Sequence, residues 1–200
     1  MSKFDYKVLI GVVLAIIIVA LPLSGCAKQP PPPPPPPPSP GTIAVDPAKI
    51  NYATLNAIWP KVAAGMKIPE AAVPKFKPAI ALLGMPIKFT GTGWEPGAMV
   101  VVELVIPENV QMPGLDREAG EDAVGLAFAE ADSAGNFEAT VEAANKLNFL
   151  LRTGWTPLIK PDLTKVDPLP AGVYTVRALS MQPGSNAATI TWELELVPSQ

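Results

Sequence analysis

Apolar and polar residues alternate in five segments of the chain from about Ala79 onward. In four of them the residues between the apolar positions are polar or charged. Such alternation over five to nine residues is typical of strands with one face on a core and the other in water. The apolar or small members are Ile87, Phe89 and Gly91; Val100, Val102, Leu104 and Ile106; Phe137, Ala139 and Val141; Tyr174, Val176 and Ala178; and Ala188, Ile190, Trp192, Leu194 and Leu196.

Turn-forming residues separate these segments in the manner of an antiparallel sheet. Asp132–Asn136 joins a strand near Val124–Ala131 to the one that begins at Phe137, with aspartate opening the turn and Gly135 supplying a positive φ. Turns at 93–97 and 170–172 open two further strands. We therefore predict a mainly β domain over residues 79–200, an antiparallel β-sandwich of about seven strands.

The first 25 residues have the layout of an export signal. Lys3 and Lys7 precede a nearly pure apolar run, Val8–Leu23, which is slightly short for a spanning helix of about 20 residues. The sequence Leu23-Ser24-Gly25-Cys26 resembles the lipobox of bacterial lipoproteins. In that family the cysteine receives a diacylglyceryl thioether, the peptide bond before it is cut, and the new amine is acylated. The resemblance implies lipidation at Cys26.

The alternative is an uncleaved membrane anchor with an incidental cysteine. Either interpretation places the rest of the chain outside the cytoplasm, on the outer face of the cell membrane or on an outer membrane. The residue after Cys26 is Ala27, not the aspartate that retains such lipoproteins at an inner membrane. The number of membranes stays open.

Residues 26–42 are predicted to form a spacer. Pro30–Pro38 are continuous, and such a run adopts polyproline II at about 3.1 Å per residue, a semi-rigid rod of roughly 30 Å. The alternative is a docking ligand for domains with aromatic grooves.

Residues 43–78 are predicted to be a helical or irregular collar packed on the sandwich, or else a partner-binding segment. Asp46 followed by Pro47 favours a helix start, Pro60 is expected to end that helix, and a second short helix is expected at 61–66.

The turn and strand motifs resemble the immunoglobulin-like repeats of prokaryotic surface proteins. The motifs are 91–97 (GTGWEPG), 131–137 (ADSAGNF) and 170–178 (PAGVYTVRA), in that order. The resemblance implies an immunoglobulin-like fold with Trp94 and Phe137 in the core, Tyr174 as a tyrosine corner, and Gly93 and Gly97 in a turn. Two connections, 107–122 and 143–169, are longer than in such repeats, and the second contains a candidate helix at 145–152. Long loops on a rigid scaffold are frequent functional sites, and they are also where families vary, so both interpretations stay open.

Composition narrows the chemistry. The chain has no histidine and one cysteine, which excludes Ser–His and Cys–His catalysis, intrachain disulfides and thiolate metal sites. Eighteen acidic and 15 basic residues provide no basic field for nucleic acid. Asp116, Glu118, Glu121 and Asp122 could form a calcium loop, but a solvated charged loop is favoured. Glu130 and Asp132 could be a glycosidase pair, but a role in the turn is favoured. Trp59 and Trp155 could line a sugar-binding face, but a role in the core is favoured.

These observations predict a non-enzymatic envelope lipoprotein without metal or cofactor. Its immunoglobulin-like domain would act in interaction, adhesion or scaffolding, with the membrane held through the lipid and a protein or glycan partner at the cell surface. Two alternatives remain open: an accessory subunit that tethers an envelope enzyme or transporter, and a carbohydrate-binding module. The identity of the partner is not encoded in any motif.

Overall fold

The computed structural model describes residues 41–67, 77–182 and 186–198. These residues belong to a compact unit that spans Pro38–Gln200. The predicted export signal, Cys26 and the polyproline run lie outside the described residues.

The described chain is mainly β. The strands are β1 (Thr42–Asp46), β2 (Lys49–Ile50), β3 (Lys88–Thr92), β4 (Met99–Val105), β5 (Ala123–Glu130), β6 (Phe137–Thr140), β7 (Gly154–Trp155), β8 (Pro161–Asp162), β9 (Gly172–Ser180) and β10 (Ala187–Leu194). The helices are α1 (Tyr52–Met66), α2 (Lys77–Ile80), a 3₁₀ turn (Ala81–Gly84), α3 (Ala143–Asn145) running into a π-helix (Lys146–Leu150), and a 3₁₀ turn (Leu163–Lys165).

Two sheets contain all the long strands. The first has the order β1-β3-β6 and is antiparallel, and the second has the order β2-β10-β9-β4-β5. Only the short β2 pairs in parallel, with β10. β7 and β8 form a separate hairpin.

The predicted alternation is confirmed in every segment. The inward positions of β4 and β9 are fully or nearly fully buried, as are Phe89 on β3 and Trp192 on β10. Phe89 and Trp192 meet edge to face, with ring centroids 5.8 Å apart, so the two sheets share one core. Seven described strands have four or more residues. One of the seven, β1, lies in the segment predicted as a collar, so residues 79–200 contain six strands of this length where about seven were predicted.

The collar prediction is wrong at its start. Residues 42–46 are a strand that pairs with β3 from Thr42 opposite Thr92 to Asp46 opposite Lys88. Its short alternation, with Ile43 buried and Val45 half-buried, was too brief to be distinguished from loop.

The predicted helix start at Asp46 and stop at Pro60 are also wrong. α1 begins after Asn51, whose side-chain oxygen accepts from the Thr54 N–H at 2.7 Å. α1 continues through Pro60 to Met66 as one helix, so no second helix begins at Lys61. Pro60 lies on the exposed face of α1, where water can hydrate the carbonyl that loses its donor.

We call the end of the fold that contains the turns 93–97 and 132–136 the turn end, and Trp94 is buried there. Its indole N–H donates to the Thr42 carbonyl at 3.0 Å, and its ring meets Phe137 edge to face at 5.4 Å. Gly93 and Gly97 have φ of 77° and 75°, which the turn requires. Trp94 and Phe137 are therefore core aromatics, as their place in the motif implies.

Tyr174 anchors the start of β9. Its ring is 3% exposed, and its hydroxyl donates to the Pro170 carbonyl at 2.7 Å. The bond ties the strand to the turn before it, and burial raises the pKa of the phenol.

Replacing Tyr174 by Phe is expected to lower the free energy of unfolding by about 1–2 kcal/mol, because a part-buried carbonyl loses its donor. Urea denaturation of Tyr174→Phe and of the matched control Tyr52→Phe measures this. A loss in the control as large as that in Tyr174→Phe would contradict the assigned role.

Candidate functional site

The two long connections lie at one end of the fold, opposite the point where the described chain begins. β1 starts at Thr42 beside the end of β3, next to Trp94 and the Asp132–Asn136 turn. The β4–β5 loop (106–122) and the β6–β9 connection (141–171) leave from the other ends of the strands. We call this second end the loop end.

Arg152 fastens the β6–β9 connection. Its Nε donates to the Asp167 carbonyl at 2.7 Å, its Nη1 to the Gln111 carbonyl at 2.6 Å, and its Nη2 to the Asp167 carboxylate at 2.6 Å and the Pro168 carbonyl at 3.3 Å. The side chain is 11% exposed. Three guanidinium nitrogens of Arg152 thus donate to four acceptors in both loops. This requires the planar guanidinium of an arginine, which has five N–H donors.

The backbone at Arg152 is left-handed, with φ of 44°. It ends the π-helix, and the Thr153 N–H then donates back to the Leu147 carbonyl at 2.8 Å. Glycine is the usual residue at such a helix end. The bonds of the guanidinium offset the strain that arginine incurs there.

Arg117 fastens the β4–β5 loop in a different way. A single nitrogen, Nη2, contacts the carbonyls of Ile106, Pro107 and Val110 at 3.0, 2.8 and 3.3 Å. The carboxylates of the same loop cap its backbone: Asp116 accepts from two N–H groups and Glu121 from one. The loop is therefore held by its own polar groups.

A cavity of about 420 Å³ lies between the two fastened loops. Met112, Leu115 and Arg117 line it from the β4–β5 loop, and Arg152 and Asp167 from the β6–β9 connection. Its lining mixes apolar surface with charged groups that are already held in place, an arrangement suited to binding rather than to proton transfer.

An ion-pair network borders the loop end on the outer face of the second sheet. Arg177 of β9 contacts Glu103 at 2.8 Å and Asp122 at 2.6 Å. The hydrogen bond from Arg177 is the main reason that the pKa of the Asp122 carboxyl lies below its usual value. The network ties the end of the β4–β5 loop to the sheet.

Lys146 is a buried cation within the β6–β9 connection. It is 5% exposed, and its ammonium donates to the Met85 carbonyl. Burial lowers its pKa from the ordinary value of 10.5. It joins the π-helix to the 3₁₀ turn before β3.

The β7–β8 hairpin projects from the same connection. Leu158 and Ile159 at its tip are 79% and 83% exposed. Trp155 is 42% exposed, and its indole N–H donates to Asn148 at 2.9 Å.

The residues singled out from the sequence have structural contacts. Asp132 accepts from the N–H groups of Ala134 and Asn136, and these bonds lower the pKa of its carboxyl. Trp59 packs against the core. In the described ranges no group of three acidic residues is placed to hold a metal ion, and no helix is long and apolar enough to cross a membrane. Cys26 is outside those ranges.

No sequence pattern indicated Arg117 or Arg152, because nearly all their acceptors are backbone carbonyls, up to 41 residues away. The hairpin tip had a weak signal: two consecutive apolar residues between Pro157 and Lys160, within a connection expected to be a surface loop.

No protein-family model and no curated protein matches the chain. Among solved structures, the crystal structure of BslA, a bacterial hydrophobin, is similar over 55% of this chain and 81% of the BslA chain, with 18% identity and a TM-score of 0.21. A likeness this low carries no conclusion about fold or function.

Lysine substitutions at the two arginines are expected to differ in effect. An ammonium has three donors on one nitrogen and can replace Nη2 of Arg117, but it cannot reach the four acceptors of Arg152. Arg152→Lys should lower the free energy of unfolding by about 2–3 kcal/mol, and Arg117→Lys by less than about 1 kcal/mol. Urea denaturation with limited proteolysis of the loops measures both, and equal losses would contradict the distinction.

Proposed function

We propose that this protein is a cell-envelope lipoprotein whose domain is a non-enzymatic interaction module with an immunoglobulin-like β-sandwich fold. It is exported, acylated at Cys26 and carried on a polyproline spacer. The export layout and the lipobox-like sequence of the first 26 residues support the anchor.

The fold part of the proposal is supported by three features. Seven strands of four or more residues lie in two sheets with a shared core. Trp94 is buried at the turn end. The bond from the Tyr174 hydroxyl to a carbonyl four residues upstream is the bond of a tyrosine corner.

The observation that supports the interaction function is that two arginines hold the long loops of the loop end in place. Arg152 and Arg117 hold two long loops through backbone carbonyls, so the loop conformation exists before a partner arrives. Preorganised loops lose little conformational entropy on binding. The outward side chains around the cavity are then free to select a protein or glycan at the cell surface.

Lipidation is tested on the full-length protein in a bacterial host with lipoprotein processing. The wild type should partition into detergent and show, by intact mass, loss of residues 1–25 and addition of acyl chains. Cys26→Ala should keep its first 25 residues and lack the lipid. A wild-type mass with Met1 present and a free thiol would contradict the anchor.

The interaction function is tested with a photo-crosslinking residue at Gln111, whose exposed side chain borders the cavity. The matched control carries the same residue at Thr189, exposed on the outer face of β10. In intact cells, position 111 should yield a discrete adduct that position 189 does not. Identical adducts, or none from position 111, would contradict a partner at the loop end.

A further inference from the structure

An apolar groove is lined by the second half of α1 (the helical wall), by Pro161 and Leu163 at the end of the β7–β8 hairpin (the hairpin wall), and by the 3₁₀ turn Ala81–Gly84 and the helical segment 143–150. It has a volume of about 510 Å³, and its lining is almost entirely aliphatic: Val62, Met66, Leu83, Leu147 and Leu163. The groove is separate from the cavity beside Arg152, since none of its lining residues is shared.

Exposed apolar side chains continue the groove onto the hairpin. Trp155 pairs with Pro161, a residue of the groove wall, so both lie on the same face of the hairpin. Beyond them lies the tip with Leu158 and Ile159. Met66, Trp155, Leu158 and Ile159 are four of the eight large apolar side chains that the described residues expose. We call the groove lining together with these four side chains the hairpin face.

The tip holds an isoleucine in a conformation that disfavours it. Ile159 has φ of 57°, a region where β-branched residues are outliers. Two backbone hydrogen bonds fix this turn: the Ile159 N–H donates to the Thr156 carbonyl, and the Thr156 N–H donates to the Lys160 carbonyl. Glycine or asparagine would fit without strain. The isoleucine at the tip therefore lowers local stability. Backbone strain of this kind is concentrated at binding sites, which favours contact between the Ile159 side chain and a partner.

Positive charge surrounds the hairpin face. Lys61 and Lys67 flank the helical wall, and Lys160 and Lys165 flank the hairpin wall, all exposed. Among the described residues, the acidic ones beside the same walls are Glu142, which is exposed, and Asp162, which already pairs with Lys165 at 3.3 Å. In a bilayer the acyl chains lie below the headgroups. The apolar side chains of the projecting tip could therefore enter the acyl region while the lysines behind them contact anionic headgroups.

We propose that the hairpin face docks on a bilayer that contains anionic lipid, with Leu158 and Ile159 entering the interface. The charge of the face and the chain length both favour this occupant over a second copy or a protein groove. Residues 27–40 span 14 positions and ten of them from Gln29 onward are proline, so extended they reach about 40 Å. The nine residues of β9 span about 30 Å from one end of the fold to the other.

An anchor at Cys26 therefore leaves enough chain for the loop end to touch the same bilayer. This step rests on the proposed lipidation, but the docking itself does not. The test accordingly uses a fragment without the anchor, Gly41–Gln200. Every core residue in the described part of the chain lies within it, between Ile43 and Leu196. Its cooperative thermal unfolding is checked first.

Flotation with vesicles measures docking. The fragment should bind phosphatidylglycerol–phosphatidylcholine vesicles and lose at least tenfold in affinity on pure phosphatidylcholine or in 0.5 M salt. Leu158→Ser/Ile159→Gly should weaken binding at least tenfold while preserving the fold, because glycine relieves the strained φ. Lys160→Glu should weaken it about fivefold or more. Met181→Ser, which removes a 65% exposed apolar side chain at the turn end, should bind as the wild type does.

Three outcomes would overturn the proposal. The first is no vesicle binding at low salt by the folded fragment. The second is equal binding by the tip variant and the wild type. The third is a wild-type dimer in sedimentation velocity that the tip variant abolishes, since that assigns the tip to a second copy. Failure of lipidation in cells with vesicle binding retained would reject the anchor and leave docking standing.

Discussion

The packing of the Trp94 indole and backbone against Gly91 and Gly135 determines how the first sheet closes over the core. A Cβ at Gly91 would lie 2.2 Å from the Phe137 ring and 2.7 Å from the Trp94 indole nitrogen. A Cβ at Gly135 would lie 2.3 Å from the Trp94 carbonyl. With these positions empty of side chains, Trp94 reaches the Thr42 carbonyl and stacks edge to face on Phe137. One ring then ties β1, β3 and β6 together, and such a buried aromatic pair contributes about 0.5–1.5 kcal/mol beyond its area.

The loop end is stabilised by a different kind of contact. Apolar packing dominates the turn end, whereas guanidinium groups and capping carboxylates hold the β4–β5 loop and the β6–β9 connection. Arg152 provides donors for the Gln111, Asp167 and Pro168 carbonyls, which lie in loops and have no strand partner. Because the fastening uses backbone atoms, outward side chains at the loop end can vary without loss of the loop conformation. This separation suits a surface for recognition.

Strands and turns could be predicted from the sequence because their signals are local. Alternation in β3, β4, β6, β9 and β10, and the Asp132–Asn136 turn, needed no tertiary information. The errors arose where local signals compete. Asp46-Pro47 and Asn51 are both plausible helix starts, and the pairing of 42–46 with β3 decided between them. Pro60 locally favours a helix stop, whereas its exposure on α1, which makes it tolerable there, depends on packing. The arginine contacts and the grouping of lysines around the groove are brought together only by the fold.

Charge determines which side of the loop end can approach an anionic bilayer. Around the β4–β5 loop, Asp116, Glu118 and Glu121 are exposed with only Arg117 among them. An anionic surface repels that side, whereas it attracts the lysines of the hairpin face. On the proposed docking, the cavity beside Arg152 therefore turns away from the lipid toward a partner. The proposed docking and the proposed partner site then lie on two sides of the same loop end, and the hairpin and the cavity wall belong to one connection in which Arg152 bonds to Asp167.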